Sequence, residues 1–219
     1  MGKRLFDLIF CLIALAVLFP IFAVLCLLIR RDGGPGFFWQ ERVGKNGRLF
    51  NLYKFRSMVV NADRLGPQVT AQHDPRITRI GSILRKTKLD ELPQFLNVFK
   101  GDMSLVGPRP EVLHYVNKWS IEDRKIVLSV RPGMTDYATL CYSNEQAVLA
   151  KAADVEEAYL ESIMPHKLKM YHRYVRKQSF FLDIRIILAT LSKILGVARM
   201  VRVLEERRCD DPIFNKELS

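Results

Sequence analysis

Residues 8–29 form one apolar run that no charge interrupts, and Pro20 is its only residue outside the apolar set. A helix of that span reaches roughly 33 Å, about the hydrocarbon thickness of a bilayer. A cleaved secretory leader predicts a shorter stretch with small residues after it, whereas this run ends on Arg30-Arg31-Asp32. A buried core helix does not account for such hydrophobicity either. Two arrangements remain: a helix that spans, or one that enters and returns. Lys3-Arg4 before the run and Arg30-Arg31 after it give no charge bias between the ends, as expected when both stay on one side. Pro20 removes a backbone bond mid-run and kinks the helix, but kinked spanning helices are also common. Charge and proline leave both arrangements open.

After the turn Gly33-Gly34-Pro35-Gly36, residues 37–43 and 48–55 read as two strands around Gly44-Lys45-Asn46-Gly47, whose Asn-Gly pair marks a hairpin. Residues 61–75 read as a loop with Gly66-Pro67 and Asp74-Pro75 as breakers, and 77–86 as a short helix. Pro93 is tolerated in a first helical turn, so a helix starts near Asp90 or Glu91, with Gly101 as its stop. Val106-Gly107-Pro108-Arg109-Pro110 reads as a stiff loop without regular structure. Helix signals over 111–130 are broken by Arg131-Pro132-Gly133. Residues 145–161 read as an acidic, solvated helix and 166–208 as basic and helical. Arg185, Ser192, Arg199 and Arg202 share one face there, a pattern that suits an anionic membrane surface or packing on the protein's own core. The pattern as a whole predicts an α+β fold, mainly α: an N-terminal membrane helix, a small β-hairpin, and surface or amphipathic helices around the site.

Composition narrows the partners. The 219 residues are 49% hydrophobic and carry a net charge of +11, which fits one compact domain and excludes a disordered or low-complexity chain. Cys11, Cys26, Cys141 and Cys209 contain no Cys-x-x-Cys pair, and His73, His114, His166 and His172 are scattered. This argues against a disulfide scaffold or zinc cluster and fits a reducing compartment. The excess of Lys and Arg calls for a polyanion: nucleic acid, an anionic membrane surface, or phosphate-rich small molecules. No aromatic-rich basic RNA-binding signature is present, which disfavours nucleic acid.

Asp90-Glu91 is the candidate chemistry. Acidic residues at a helix start are common because the dipole favours them. Here, however, Lys54, Arg56, Arg76, Arg79, Arg85, Lys88 and Arg109 lie in segments that could converge on the pair. A carboxylate among cations suits phosphoryl transfer: cations and an oxygen-liganded magnesium would neutralise phosphate oxygens, and the carboxylate would attack or bind the metal. Walker-type, dinucleotide-binding and serine-hydrolase motifs are absent. A phosphatase using an aspartyl-phosphate, or a non-enzymatic basic domain that binds nucleic acid or acidic headgroups, would share some of these features.

The run 74–94, DPRITRIGSILRKTKLDELPQ, followed by 97–110, NVFKGDMSLVGPRP, resembles the bacterial sugar transferase family, the monotopic polyprenol-phosphate phosphoglycosyl transferases. Lys3-Arg-Leu-Phe-Asp7, Lys54-Phe-Arg-Ser-Met58, Arg131-Pro-Gly-Met-Thr135 and Ser179-Phe-Phe-Leu-Asp183 also match, so the resemblance spans roughly residues 3–195. It implies transfer of a sugar-1-phosphate from a UDP-sugar to undecaprenyl phosphate. The products would be undecaprenyl-diphospho-sugar and UMP, in the first membrane step of O-antigen, capsule, exopolysaccharide or glycoprotein glycan synthesis. Asp90 would attack the β-phosphorus and form a covalent intermediate, with Mg2+ held near it and Glu91 assisting. Lys54, Arg56, Arg85, Pro108 and Arg109 would form the substrate-binding set. The family's anchor is a re-entrant helix broken at Ser-Pro, which implies re-entry at Pro20. The resemblance further implies 1–31 as the membrane-embedded part, 32–205 as a cytosolic transferase domain on the inner membrane and 206–219 as a tail. The partners are then UDP-sugar, undecaprenyl phosphate and inner-membrane lipids, without nucleic acid, and with room for a homodimer. Two departures stand out. Phe19 replaces the usual serine before the proline, which removes a hydroxyl that could satisfy a freed carbonyl. Met134-Thr-Asp-Tyr-Ala-Thr139 replaces the usual Ile-Thr-Gly-x-Ala-Gln, with an acidic insert after it.

Overall fold

A computed structural model describes residues 2–62, 74–141 and 154–194, together with Leu65, Leu149 and Gly196. The chain is mainly helical. Helix α1 (Gly2–Arg30) is followed by an antiparallel hairpin of β1 (Phe37–Val43) and β2 (Leu49–Phe55). Helices α2 (Arg79–Thr87) and α3 (Gln94–Lys100) come next, separated by a single turn at Leu89–Glu91. Strand β3 (Ser104–Val106), helices α4 (Leu113–Val116) and α5 (Ile121–Val127), strand β4 (Gly133–Thr135) and helix α6 (Tyr137–Cys141) complete the middle of the chain. Helix α7 (Val155–Ala158) passes through a π turn at Tyr159–Ile163 into α8 (Met164–Lys177), and α9 (Phe180–Ile194) closes the described chain.

The hairpin follows the sequence pattern to within one residue. Phe37 pairs with Phe55 and Val43 with Leu49. Asn46 and Gly47 both take positive φ, 57° and 78°, at the reversal. Asparagine and glycine tolerate this left-handed region at little steric cost.

Helix α1 begins well before the apolar run because its first turns are polar and bonded to the rest of the molecule. Lys3 pairs with Asp183 of α9 and donates to the Val106 carbonyl (3.2 Å). Arg4 donates to the last carbonyls of α3, Val98 (2.7 Å) and Phe99 (3.1 Å). Asp7, only 2% exposed, accepts from Ser104 of β3 (2.8 Å). The other end is also held. Ile29 packs in a buried cluster with Phe55 and Leu84, and such buried side chains contribute about 1.5–3 kcal/mol each. Between these anchors Leu12, Ile13, Val17, Phe19, Val24 and Leu27 are exposed, and the helix continues through Pro20.

Three departures from the sequence expectation have physical reasons. Val106, read as the start of the stiff loop, instead ends a regular strand: β3 lies parallel to β4, with Ser104 opposite Gly133 and Val106 opposite Thr135. Glycines let the two chains approach, since a Cβ at Gly133 would stand 2.0 Å from the Gly107 nitrogen. The helix expected over 111–130 is two short helices, because Ser120 caps α5 by accepting from the Asp123 amide (3.0 Å) and interrupts the path. Of the acidic segment 145–161, residues 145–148 and 150–153 lie outside the described residues, and the rest is only partly solvated. Asp154 caps α7, but Tyr159 and Ile163 turn into a core with Trp119, Leu168 and Tyr171. A second core joins Cys11, Val98, Met103, Tyr174 and Ile186. The basic segment breaks at Gln178 between α8 and α9, and Arg199, Arg202 and most of the expected 61–75 loop lie outside the described residues.

Candidate active site

Helix α2 ends at Lys88, whose αL backbone (φ 60°, ψ 15°) lets its amide donate to the Arg85 and Leu84 carbonyls. A non-glycine residue there stores about 1 kcal/mol or more of strain. The reversal turns the chain into the Leu89–Glu91 turn and presents two adjacent carboxylates with opposite surroundings.

Glu91 is fully engaged. Arg109 donates to both its oxygens, at 3.3 Å from Nη1 to Oε2 and closer still from Nη2 to Oε1. Lys54 Nζ lies 3.5 Å from Oε1. Burial alone would raise the Glu91 carboxyl, but Arg109 and Lys54 outweigh it and hold the group well below the usual carboxylate range. Lys54 is lowered by burial, which Glu91 opposes.

Asp90 is the converse case. It is 7% exposed, and its Oδ1 is buried with no hydrogen-bond partner. Burial, and then the charge of Glu91, raise its carboxyl above the usual range, while Lys54, Lys88 and Arg85 pull it partly back. The outcome is a carboxylate near three cations and bonded to none among the described residues.

The frame behind these groups explains their placement. Asn97, fully buried on α3, donates to the Asn51 carbonyl (2.7 Å) and accepts from the Tyr53 amide (2.9 Å), so β2 delivers Lys54 beside the acidic pair. Arg109 rides on the stiff loop. Gly107 donates to Thr135 O (3.1 Å), Gly133 donates to Pro108 O (2.9 Å), and the Arg109 amide donates to Asp136 Oδ2 (3.0 Å). Pro108 thus shapes the loop through its carbonyl. Asp136 Oδ1 also accepts from the Thr139 amide, which caps α6. Burial raises the Asp136 carboxyl, against these hydrogen bonds. Arg42 of β1 secures the far side of the loop through Pro110 O (3.2 Å) and Glu111 (3.4 Å), and Tyr159 donates to Glu111 (2.6 Å).

The structure therefore gathers Asp90, Glu91, Lys54, Arg85 and Arg109. Arg56 is otherwise engaged. The Arg56 guanidinium donates to the carbonyls of Ile29 (2.9 Å), Pro35 (2.9 Å) and Met58 (3.4 Å), fastening the end of α1 to the hairpin. Arg76 is likewise committed, to Asp74 (2.6 Å) and the Ala62 carbonyl (2.9 Å). Asn97, Asp136 and Arg42 were not singled out by their sequence. Only Asp136 carries a local signal, as an N-cap three residues before Thr139.

Among the described residues no three His, Cys, Asp or Glu side chains converge on a preformed metal cage. The donor set suits magnesium all the same. Magnesium commonly takes one or two carboxylates and completes its shell with water and substrate phosphate, and Asp90 Oδ1 is a buried acceptor with nothing to accept from.

Sequence comparison agrees with the earlier resemblance. The bacterial sugar transferase family matches residues 1–197. The chain is 38% identical over 199 residues to a UDP-N-acetylgalactosamine-undecaprenyl-phosphate N-acetylgalactosaminephosphotransferase of Aeromonas hydrophila, covering 88% of this chain and 43% of the relative. It is 42% identical over 148 residues to an undecaprenyl-phosphate galactose phosphotransferase of Salmonella typhimurium, covering 61% and 31%. It is 35% identical over 196 residues to a UDP-glucose:undecaprenyl-phosphate glucose-1-phosphate transferase of Escherichia coli, covering 87% and 39%. The chain spans less than half the length of each of these relatives.

Proposed function

The chain belongs to the bacterial sugar transferase family, and from that premise we propose that it moves a sugar-1-phosphate from a UDP-sugar to undecaprenyl phosphate. Three relatives that share the lipid acceptor carry names with three different sugars, so the sugar stays unassigned.

The observation that carries the mechanism is the contrast within the acidic pair. Asp90 is buried, raised and unpaired, and a carboxylate held this way is a better nucleophile than one spent in an ion pair. An Asp90 oxygen attacks the β-phosphorus, and the bond from that phosphorus to the bridging oxygen breaks. UMP leaves with the electron pair. An oxygen of undecaprenyl phosphate then attacks the same phosphorus, and Asp90 departs as a carboxylate. Lys54, Arg85 and Arg109 neutralise phosphate charge. Glu91 holds Lys54 and Arg109 in place and, already doubly paired, takes no part as a nucleophile. Magnesium, held by Asp90 and the substrate diphosphate, would supply further neutralisation of the phosphate oxygens.

The acceptor is a lipid, and α1 supplies the membrane contact. Its middle is apolar and exposed, while both ends are bound to the domain that carries Asp90. We therefore read α1 as re-entrant, with the site facing the cytosol at the inner-membrane surface. The deciding assay incubates the membrane-purified chain with a panel of UDP-sugars, undecaprenyl phosphate and magnesium. We expect UMP from at least one sugar nucleotide, and a hexose-phosphate mass on the peptide containing Asp90 when the lipid is withheld. Full turnover by Asp90→Asn would overturn the reading.

A further inference from the structure

Gln94 opens α3 and is 2% exposed. Its Nε2 is buried and has no acceptor, just as Asp90 Oδ1 is buried and has no donor. The two are four residues apart on a continuous helical path, since Leu92 (φ −55°, ψ −35°) and Pro93 (φ −61°, ψ −15°) connect the Leu89–Glu91 turn to α3 in helical conformation. The path is wound by i to i+3 bonds, from Leu92 N to Leu89 O (3.2 Å) and from Phe95 N to Leu92 O (3.1 Å), so four residues advance about 8 Å and a little more than one turn. A buried unmet donor and a buried unmet acceptor thus lie within about one and a third turns of the same short segment and do not bond to each other.

A buried amide without a partner costs about 1–3 kcal/mol, and folded proteins leave few of them. An apolar side chain of the same size would avoid that cost. A lysine or arginine would meet a phosphate oxygen too, but it would also ion-pair with Asp90 and blunt its attack. An amide donates without adding charge, so it can hold an anionic oxygen while leaving the carboxylate reactive.

We propose that Gln94 is a phosphoryl-binding residue, whose amide donates to a non-bridging oxygen of the phosphoryl group while that group is bonded to Asp90. This rests on the aspartyl mechanism given above.

The test compares wild type with Gln94→Met, close in size and without donors, and Gln94→Glu, equal in shape but anionic. Each full-length enzyme, in membranes with magnesium, is given UDP-sugar alone, and the single-turnover burst of UMP is followed. Steady-state kcat and KM are then measured with undecaprenyl phosphate. The expected result is a burst slowed by about 10²-fold in both variants, the usual cost of one lost oxyanion donor. The loss should fall on kcat rather than on KM for the UDP-sugar, with the Gln94→Met melting temperature equal to or above wild type. A burst within twofold of wild type in either folded variant would overturn the proposal, because an amide that merely binds a buried water would leave that rate alone. If Gln94→Met does not fold, Gln94→Glu decides by the same criterion. A wild-type enzyme that never yields UMP would overturn the aspartyl mechanism itself, which is a different failure.

Discussion

Arg109 grips both carboxylate oxygens of Glu91, and among the described residues no side chain grips Asp90. Two neighbouring residues of the same chemistry are thereby given separate duties. The paired one fixes the positions of two cations, and the bare one is left to react. Loop geometry enforces the division, because the Arg109 backbone is tied to Asp136 before its side chain reaches Glu91.

Asp90→Asn should abolish activity and stabilise the fold. We expect turnover to fall by at least about 10⁴-fold, as for loss of a nucleophile. The folded-state pKa of Asp90 is raised, so the ionised form is disfavoured by folding. That penalty is present above the folded pKa and disappears below the ordinary value of about 3.9. Thermal unfolding in EDTA should therefore show the variant more stable than wild type by about 1–3 kcal/mol at pH 7. The gain should shrink as the pH is lowered towards about 4. A variant less stable than wild type at neutral pH would contradict the burial of an unpaired charge.

The Glu91–Arg109 pair should show strong energetic coupling. Arg109→Ala leaves a buried carboxylate with Lys54 alone and should cost about 3 kcal/mol. Once Glu91→Gln has removed the charge, Arg109→Ala should cost less. A double-mutant cycle by chemical denaturation should return a coupling of at least about 1 kcal/mol, and additive losses would show that the pair contributes little to the frame.

How far the sequence spoke for itself depends on how local each signal is. The apolar run, the Asn46-Gly47 reversal and the Gly101 stop (φ 97°) are set by neighbouring residues, and each appears where its pattern places it. The acidic pair at a helix entrance was legible for the same reason. The β3–β4 pairing was not, because it joins two three-residue strands from distant parts of the chain, and strands so short carry no alternation to read. What Arg56 bonds to was not legible either, because an arginine that binds carbonyls and one that binds phosphate look identical in sequence. Only the three-dimensional path reveals that its Nε, Nη1 and Nη2 each donate to a carbonyl, of Pro35, Met58 and Ile29.

Asn97 should prove as sensitive as the acidic pair, although it touches no reacting group. Asn97→Ala removes two buried hydrogen bonds to β2 and should cost about 2–3 kcal/mol. Asn97→Asp keeps the acceptor for the Tyr53 amide but sets an oxygen against the Asn51 carbonyl. A buried charge in that position should cost more than the alanine change. Urea denaturation checks the order. An aspartate variant as stable as wild type would mean that Asn97 does not hold β2 to α3.

The re-entrant topology proposed for α1 rests on where its two ends are held. Asp7 is buried against β3, and Ile29 is buried against Phe55 and Leu84. A straight helix would separate these two levels by about 33 Å along its axis. If α1 crossed the bilayer upright, the domain gripping both levels would lie inside hydrocarbon, with Lys54, Arg85 and Arg109 immersed in it, at several kcal/mol for each charge. Holding both ends on one aqueous side, with the apolar middle dipping into a single leaflet around Pro20, avoids that cost. In a variant without native cysteines, single cysteines placed at residues 2 and 32 should both react with a membrane-impermeant maleimide applied from the cytosolic side. Labelling of the two from opposite sides would establish a spanning helix and leave the chemistry at Asp90 untouched.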